Sequence, residues 1–279
     1  MEQDTGKFRK NTKDQYYTKS AVAKKCVDKI ITSFPYSETY QWIEPSAGNG
    51  VFLNVLPSAI TNKIGIDLEP KGSNITQGDF LEWNPADVTK RIIFGNPPFG
   101  RQGSLAKSFI KHASQYADII AFILPRSFVK PSMSRAFPLK FHCLHSEDIE
   151  KNAFEVNSIE YDVPCVFQIW EKKDVDRILA IPIKENGFEY VKHGEPFHIA
   201  FKRVGGLAGK CYPSTPTASA DYNHQYHYFL KVEDKYIPYV KNIIDKVNQH
   251  TFPSNTVGPR SLSKSEANEV LNEILQQTP

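Results

Sequence analysis

A short apolar run, Ile92-Ile93-Phe94-Gly95, leads directly into Asn96-Pro97-Pro98-Phe99. Each proline fixes its φ and has no N–H, and a residue before proline is pushed out of the helical region, so Asn96 and Pro97 are held extended. Their carbonyls are therefore not consumed by a helix. The turn offers the Asn96 side-chain oxygen and a neighbouring backbone carbonyl as two fixed acceptors, with the flat ring of Phe99 beside them. That combination suits a planar group bearing an amino nitrogen. A nucleobase fits, since its –NH2 donates two hydrogen bonds and its face stacks on an aromatic ring. A proline-rich turn that only ends a buried strand has the same local sequence, and the turn by itself leaves the two readings even.

The upstream segment Tyr40-Gln41-Trp42-Ile43-Glu44-Pro45-Ser46-Ala47-Gly48-Asn49-Gly50-Val51-Phe52-Leu53 shifts the balance. It reads as strand, glycine turn and helix, and Gly48 and Gly50 let the backbone turn tightly and approach a ligand. The third glycine of the dinucleotide fingerprint and the Gly-Lys-Ser/Thr of a phosphate loop are both missing, so neither a nicotinamide cofactor nor ATP is favoured. Glu44 to Gly50 followed by Asn96-Pro97-Pro98-Phe99 resembles the S-adenosylmethionine-dependent amino-methyltransferases, and most closely the adenine-N6 group. Asp14-Gln15-Tyr16-Tyr17-Thr18 is similar to the segment that lies over the methionine end of the cofactor in that family. The resemblance covers about residues 11 to 171.

The resemblance implies S-adenosyl-L-methionine as cofactor, with Tyr16, Tyr17, Thr18, Glu44, Ser46, Gly48, Gly50, Asp67, Leu68, Asp79, Phe80 and Asn96 around it. Glu44 would meet the amino group of the cofactor methionine. Asp67, closing Lys63-Ile64-Gly65-Ile66-Asp67, offers an acceptor-only group for the two ribose hydroxyls, and Leu68 would cover the adenine ring. Asp79 and Phe80 resemble the pair that contacts the adenine amino group and stacks on the ring. A turn or capping aspartate remains the competing reading for both Asp67 and Asp79. Asn96, Pro97, Pro98 and Phe99 are the implied catalytic residues, with no metal. Phe154 is a weaker candidate for a second aromatic wall, and core packing suits it better.

The elements that must position these residues alternate as βαβ. Strands are expected at 40–44, 63–67, 74–76, 91–95 and 118–124, with helices at 20–32, 50–56 and 103–116. Ser104 is the candidate cap of the last helix, with Leu105, Phe109, Ile110 and Ala113 as its apolar face. Such alternation predicts an α/β fold: a Rossmann-like, mostly parallel doubly wound sheet covered on both faces and binding ligands at the carboxyl ends of its strands. Segments 141–149 and 163–170 read as an antiparallel hairpin at its edge. Phe141-His142-Cys143-Leu144-His145 belongs to this hairpin rather than to a metal site. The domain boundary falls near 175, giving a cofactor-binding catalytic domain at 1–174 and a small C-terminal α+β lobe at 175–279, with a possible target-recognition role. Within the lobe, strands are expected at 188–192, 197–203 and 226–231, a Pro/Ser/Thr loop at 213–220, and two helices. Ser263 and Glu266 mark a capping box, followed by the stripe Ala267, Val270, Leu271, Ile274 and Leu275.

With 279 residues, 40% of them hydrophobic, the chain can bury a full core. No apolar run approaches a membrane span, and the first ten residues lack a signal-peptide core, so a soluble, intracellular protein is expected. Cys26, Cys143, Cys165 and Cys211 form no Cys-x-x-Cys pair, which predicts reduced thiols. A net charge of +3 is too small to argue for nucleic acid by itself. Its distribution says more: Lys7, Arg9, Lys10, Lys13, Lys19, Lys24 and Lys25 gather near the start, and Arg126, Lys130, Arg135, Lys202 and Arg203 follow the motifs. Lys24 and Lys25 read as a solvated helix face. Arg126, Lys130, Lys202 and Arg203 are the nucleic-acid candidates. Lys202 and Arg203 adjoin a glycine loop that suits a phosphate and equally suits a plain β-turn.

These readings lead to methyl transfer onto the exocyclic N6 amino group of adenine in nucleic acid, DNA before RNA. Phe99 followed by Gly100 also occurs in rRNA-modifying relatives. A protein glutamine methyltransferase asks the same of the turn, although such relatives usually carry tyrosine at the Phe99 position. A noncatalytic nucleic-acid-binding partner with this fold, and a homodimer or partner subunit, also stay open.

Overall fold

The computed structural model describes residues 16–279 apart from 88, 157–158, 215–221, 254–255 and 257–258. Asp14, Gln15, the basic residues Lys7 to Lys13 and most of the 213–220 loop lie outside the described residues. The chain divides into two compact units, 1–179 and 180–279.

In chain order, the first unit contains β1 (Tyr17–Thr18), α1 (Ser20–Ser33), β2 (Gln41–Glu44), α2 (Val51–Asn54), β3 (Lys63–Asp67), β4 (Ile75–Gln77) and β5 (Arg91–Gly95). These are followed by α3 (Ser104–Ala113), β6 (Ile119–Pro125), α4 (Pro131–Ser134), β7 (Phe141–Asp148), β8 (Phe154–Val156), β9 (Ile159–Tyr161) and β10 (Cys165–Lys172). Seven strands form one sheet in the order β4-β3-β2-β5-β6-β10-β7. The first five are parallel, while β10 runs antiparallel to both β6 and β7. This is the Rossmann-like doubly wound sheet with an antiparallel pair at its edge that the βαβ alternation predicts.

Burial explains the order. Every residue of β5 and β6 is buried, as a central parallel strand covered on both faces requires, whereas β7 at the edge is mostly exposed. Helix α1 turns Val22, Ala23, Cys26, Val27 and Ile30 inward, and α3 turns Ala106, Phe109, Ile110 and Ala113 inward. Ser104 does not cap α3. It is the first helical residue, and the cap position is Gly103 at φ 73°, whose conformation a side chain would strain. Leu105 is 40% exposed and stands one position off the buried stripe, so it is not a core residue. The helix expected at 50–56 shortens to one turn, because Gly50 at φ 77° starts it and Val55 already leaves it.

Two features lay beyond periodicity. Strand β1 pairs with β8, which pairs with β9, in a separate three-stranded sheet. The first unit also runs five residues past the expected boundary, to Leu179. Arg177 accounts for that extension. Its Nη1 donates to the carbonyls of Pro138 and Phe141 and its Nη2 to those of Ser134 and Phe137, with the guanidinium 5.2 Å from the Trp170 ring centroid.

The second unit is a four-stranded antiparallel sheet of β11 (Phe188–Val191), β12 (Ile199–Lys202), β13 (Cys211–Pro213) and β14 (His227–Val232), with α5 (Val240–Gln249) and α6 (Lys264–Gln276). Strand β14 lies between β11 and β12. Phe188, Ile199, Phe201 and Leu230 from the strands meet Ile243, Val247, Leu271 and Leu275 from the helices in one core. The capping box is complete: Glu266 N donates to Ser263 Oγ at 3.3 Å and Ser263 N to Glu266 Oε2 at 2.8 Å.

Candidate active site

Strands β2 and β5 are neighbours, and from them the chain winds outward in opposite directions. In a parallel sheet the crevice for ligands lies at the carboxyl ends beside this reversal. Glu44 ends β2 there, and Asn96 follows the last residue of β5. Between them the Ser46 hydroxyl donates to the Asn96 carbonyl at 3.2 Å, joining the two motifs directly.

A cavity of about 490 Å³ opens at this place. Of the twelve residues expected around a cofactor, eleven line it: Tyr16, Tyr17, Thr18, Glu44, Ser46, Gly48, Asp67, Leu68, Asp79, Phe80 and Asn96. Gly50 does not. It serves the turn behind the wall, where Gly48 at φ 52° and Gly50 at φ 77° both need the left-handed region. A Cβ on Gly48 would come within 3.2 Å of the Tyr17 ring, so bare backbone there lets β1 pass close by.

The acidic residues differ in their attachments. Asp67 Oδ2 accepts from Gly48 N and its Oδ1 from Glu69 N, both at 2.7 Å. It is therefore a turn aspartate and a cavity wall at once, with lone pairs remaining on each oxygen. Asp79 Oδ1 accepts from Leu81 N at 2.8 Å and caps a short 3-10 turn, also while lining the cavity. Phe80 is buried and stacks between Trp83 and Phe109, whereas Leu68 is 64% exposed.

Glu44 has neither arrangement. It is 2% exposed, and its Oε2 is buried without a hydrogen-bond partner. Burial pushes its carboxyl well above the ordinary value, the charge of Asp67 adds to this, and the Leu53 backbone N–H opposes it.

Asn96 is fastened by β1. Its Nδ2 donates to the Tyr16 carbonyl and to the Thr18 hydroxyl, each at 3.2 Å, leaving Oδ1 buried and unpaired. Pro98 lines the cavity, while Pro97 is buried and Phe99 half-buried, neither being part of the lining. The Phe99 carbonyl accepts from Leu105 N and Ala106 N and so starts α3. Leu105 and Phe109 of α3 also line the cavity, as do neighbours of the expected residues such as Phe52, Glu69 and Leu81, and none of these is among the expected site residues. The spacing of Leu105 and Phe109 carries the signal, since residues four apart lie on one side of a helix, Phe109 within the buried stripe and Leu105 at its margin. Phe154 is a core residue, 1% exposed, with its ring edge-on to Tyr16.

The four nucleic-acid candidates fall in different units and have different surroundings. Arg126 pairs with Asp148 at 2.5 Å, and Lys130 sits half-buried at the cap of α4. Arg203 has its guanidinium 5.0 Å from the Tyr228 ring centroid and a buried Nε, so it packs within its own unit. Lys202 ends β12, opposite His227. The glycine loop after it is a hairpin connection: Gly209 N donates to Lys202 O, and Lys210 Nζ is bound to the Asn248 carbonyl.

No family model matches the chain, and no curated protein sequence matches it. Among solved structures, a Pyrococcus horikoshii protein described as a candidate RNA methyltransferase is similar at 20% identity, over 58% of this chain and 90% of the other, with a TM-score of 0.44. A candidate class I S-adenosylmethionine-dependent methyltransferase from Listeria monocytogenes is 12% identical over 61% of this chain and 65% of the other, with a TM-score of 0.45. The type IIL restriction-modification enzyme MmeI, solved with DNA, is 12% identical over 74% of this chain and 46% of the other, with a TM-score of 0.43. At such identities and TM-scores these likenesses carry no argument, and the fold rests on the strand order itself.

Proposed function

We propose that the chain is an S-adenosylmethionine-dependent methyltransferase that modifies the N6 amino group of adenine in nucleic acid, DNA before RNA. The observation that carries this reading is the unpaired, buried Oδ1 of Asn96 in the wall of a cavity at the β2/β5 reversal. A buried acceptor without a partner is costly unless a ligand donor meets it. The unpaired Glu44 Oε2, on the neighbouring strand, makes the same demand, and its carboxylate suits an ammonium group. Both demands fit a cofactor with a charged amino group and an acceptor substrate with a neutral one.

The residues have separate tasks. Glu44 would hold the amino group of the cofactor methionine, Asp67 the ribose hydroxyls, and Asp79 with Phe80 and Leu68 the adenine. When bound, S-adenosylmethionine supplies an electrophilic methyl group on a sulfonium. An aromatic amine is a poor nucleophile because its lone pair is delocalised into the ring. Asn96 Oδ1 and the Pro97 carbonyl, accepting its two N–H groups, draw the nitrogen toward tetrahedral geometry and localise that lone pair. Phe99 stacks on the base, which in a duplex must first be flipped out.

The test is tritiated-methyl transfer from S-adenosylmethionine to duplex DNA, single-stranded DNA, total RNA and protein, with the product nucleoside identified. Label in N6-methyladenine of DNA supports the full reading. Label in RNA moves the substrate to the other polymer. Label in glutamine of protein, or none in any acceptor, overturns the nucleic-acid assignment.

A further inference from the structure

An asparagine amide has one accepting end and one donating end, and here the donating end is already committed. Both N–H groups of Asn96 Nδ2 go to β1 and the residue before it, one to the Tyr16 carbonyl and one to the Thr18 hydroxyl. The Tyr16 carbonyl can only accept, so reversing the amide would set two oxygens against each other. Strand β1 is itself held in place: Thr18 is 5% exposed and paired with Phe154, and Lys19 N donates to Ala153 O at 2.9 Å. The Tyr16 ring meets Phe154 and Tyr161 edge-on. On the other side, the Ser46 hydroxyl fixes the Asn96 carbonyl. Oδ1 is the one polar atom of the Asn96 side chain left for a ligand.

We propose that Thr18 is a positioning residue: its hydroxyl holds the Asn96 amide in the polarity that the acceptor-only Tyr16 carbonyl sets, so that the site takes an N–H donor. The acceptor substrate is then a neutral amine or amide, and an acceptor-only group such as a carboxylate is turned away. This rests on the methyl-transfer reading for what happens to the donor, but not for the orientation of the amide. It also explains why asparagine suits this turn: an aspartate oxygen in place of Nδ2 would face the Tyr16 carbonyl.

The test uses full-length protein with Thr18→Val, which keeps the shape and removes the hydroxyl, and Thr18→Ser, which keeps the hydroxyl. The first readout is the side-chain NH2 pair of Asn96 in 1H–15N spectra, assigned by its loss in Asn96→Ala. It exchanges slowly with water in the wild type and in Thr18→Ser, and shifts and exchanges faster in Thr18→Val. The second readout is methyl transfer to an adenine-containing duplex. In Thr18→Val, kcat falls roughly 2- to 13-fold, the factor one neutral hydrogen bond carries, with substrate KM unchanged, and Thr18→Ser restores it. An unshifted Asn96 pair in Thr18→Val overturns the proposal whatever the turnover, and so does fast exchange in the wild type. Slow exchange with the expected shift, but no methyl transfer by wild-type protein, supports the orientation and overturns the methyltransferase reading.

Discussion

Replacing Glu44 by glutamine keeps its shape and removes its charge, and two opposite effects should follow. Burial raises the native carboxyl well above its ordinary 4.5, so the folded chain keeps a proton that the unfolded chain gives up. The stability this group contributes is fully present below pH 4.5 and is lost as pH rises from there through the raised native value. Glutamine undergoes no such loss. Glu44→Gln without ligand should therefore lose less Tm than the wild type between acid and neutral pH. Ligand binding runs the other way. One carboxylate oxygen lacks a partner, so one charge-assisted hydrogen bond to the cofactor ammonium is at stake. Such a bond is worth about 1.5–3 kcal/mol, and removing it weakens the Kd for S-adenosylmethionine roughly 13- to 160-fold at 1.36 kcal/mol per decade. Wild-type affinity should rise with pH as Glu44 ionises, and binding below its native pKa should release a proton. Titration calorimetry in buffers of different ionisation enthalpy, between about pH 5 and 8, reads both quantities. Glutamine binding as tightly as glutamate across that range would refute the assignment of Glu44 to the cofactor amino group.

Asn96→Ala should lower turnover by about 100- to 1,000-fold, the cost of losing one preorganised polar group, while S-adenosylmethionine Kd stays within tenfold. Retained turnover in the tritium assay contradicts the acceptor role. Gly48→Ala places a Cβ 3.2 Å from the Tyr17 ring at φ 52°. The left-handed penalty of about 1–2 kcal/mol should lower Tm by several degrees in calorimetric scans, and cofactor affinity should fall with it. Lys202→Ala should reduce the slope of log affinity for duplex DNA against log salt by about one if Lys202 meets a phosphate. Arg203→Ala, which strips the guanidinium from the Tyr228 ring, should instead lower Tm. Fluorescence anisotropy across a salt series, with thermal melts alongside, separates the two.

The central strands were legible because burial leaves a direct trace in composition. Ile92 to Gly95 and Ile119 to Leu124 are runs that water would not tolerate, and β3 and β5 matched their expected limits. Glu44, Asp67 and Asn96 were legible because a parallel sheet brings the ends of its strands to one edge, so order along the chain predicts neighbours in space. Strand β1, with two residues, and β8 and β9, with three each, are too short to show any period, and the pairing of β1 with β8 spans more than a hundred residues. For Asp67 and Asp79, turn residue and cavity wall were not alternatives. A carboxylate has enough lone pairs for a backbone N–H and a ligand together. Arg203 carries a related ambiguity: a guanidinium that suits phosphate also suits an aromatic face, and sequence does not say which is nearer.

The cavity wall draws on stretches beginning at Tyr16, Glu44, Asp67, Gly78, Asn96 and Leu105, and no one of them contains half of it. Because β2 must sit between β3 and β5 before Glu44 and Asn96 face the same space, the binding site exists only once the sheet is complete. The ligand is thus linked to the folding of the whole unit rather than to a local loop: at a hundredfold excess over Kd it would add about 2.7 kcal/mol against global unfolding. Distant core substitutions would then show themselves first as weakened binding, and the chain without its ligand would be the form that proteases find.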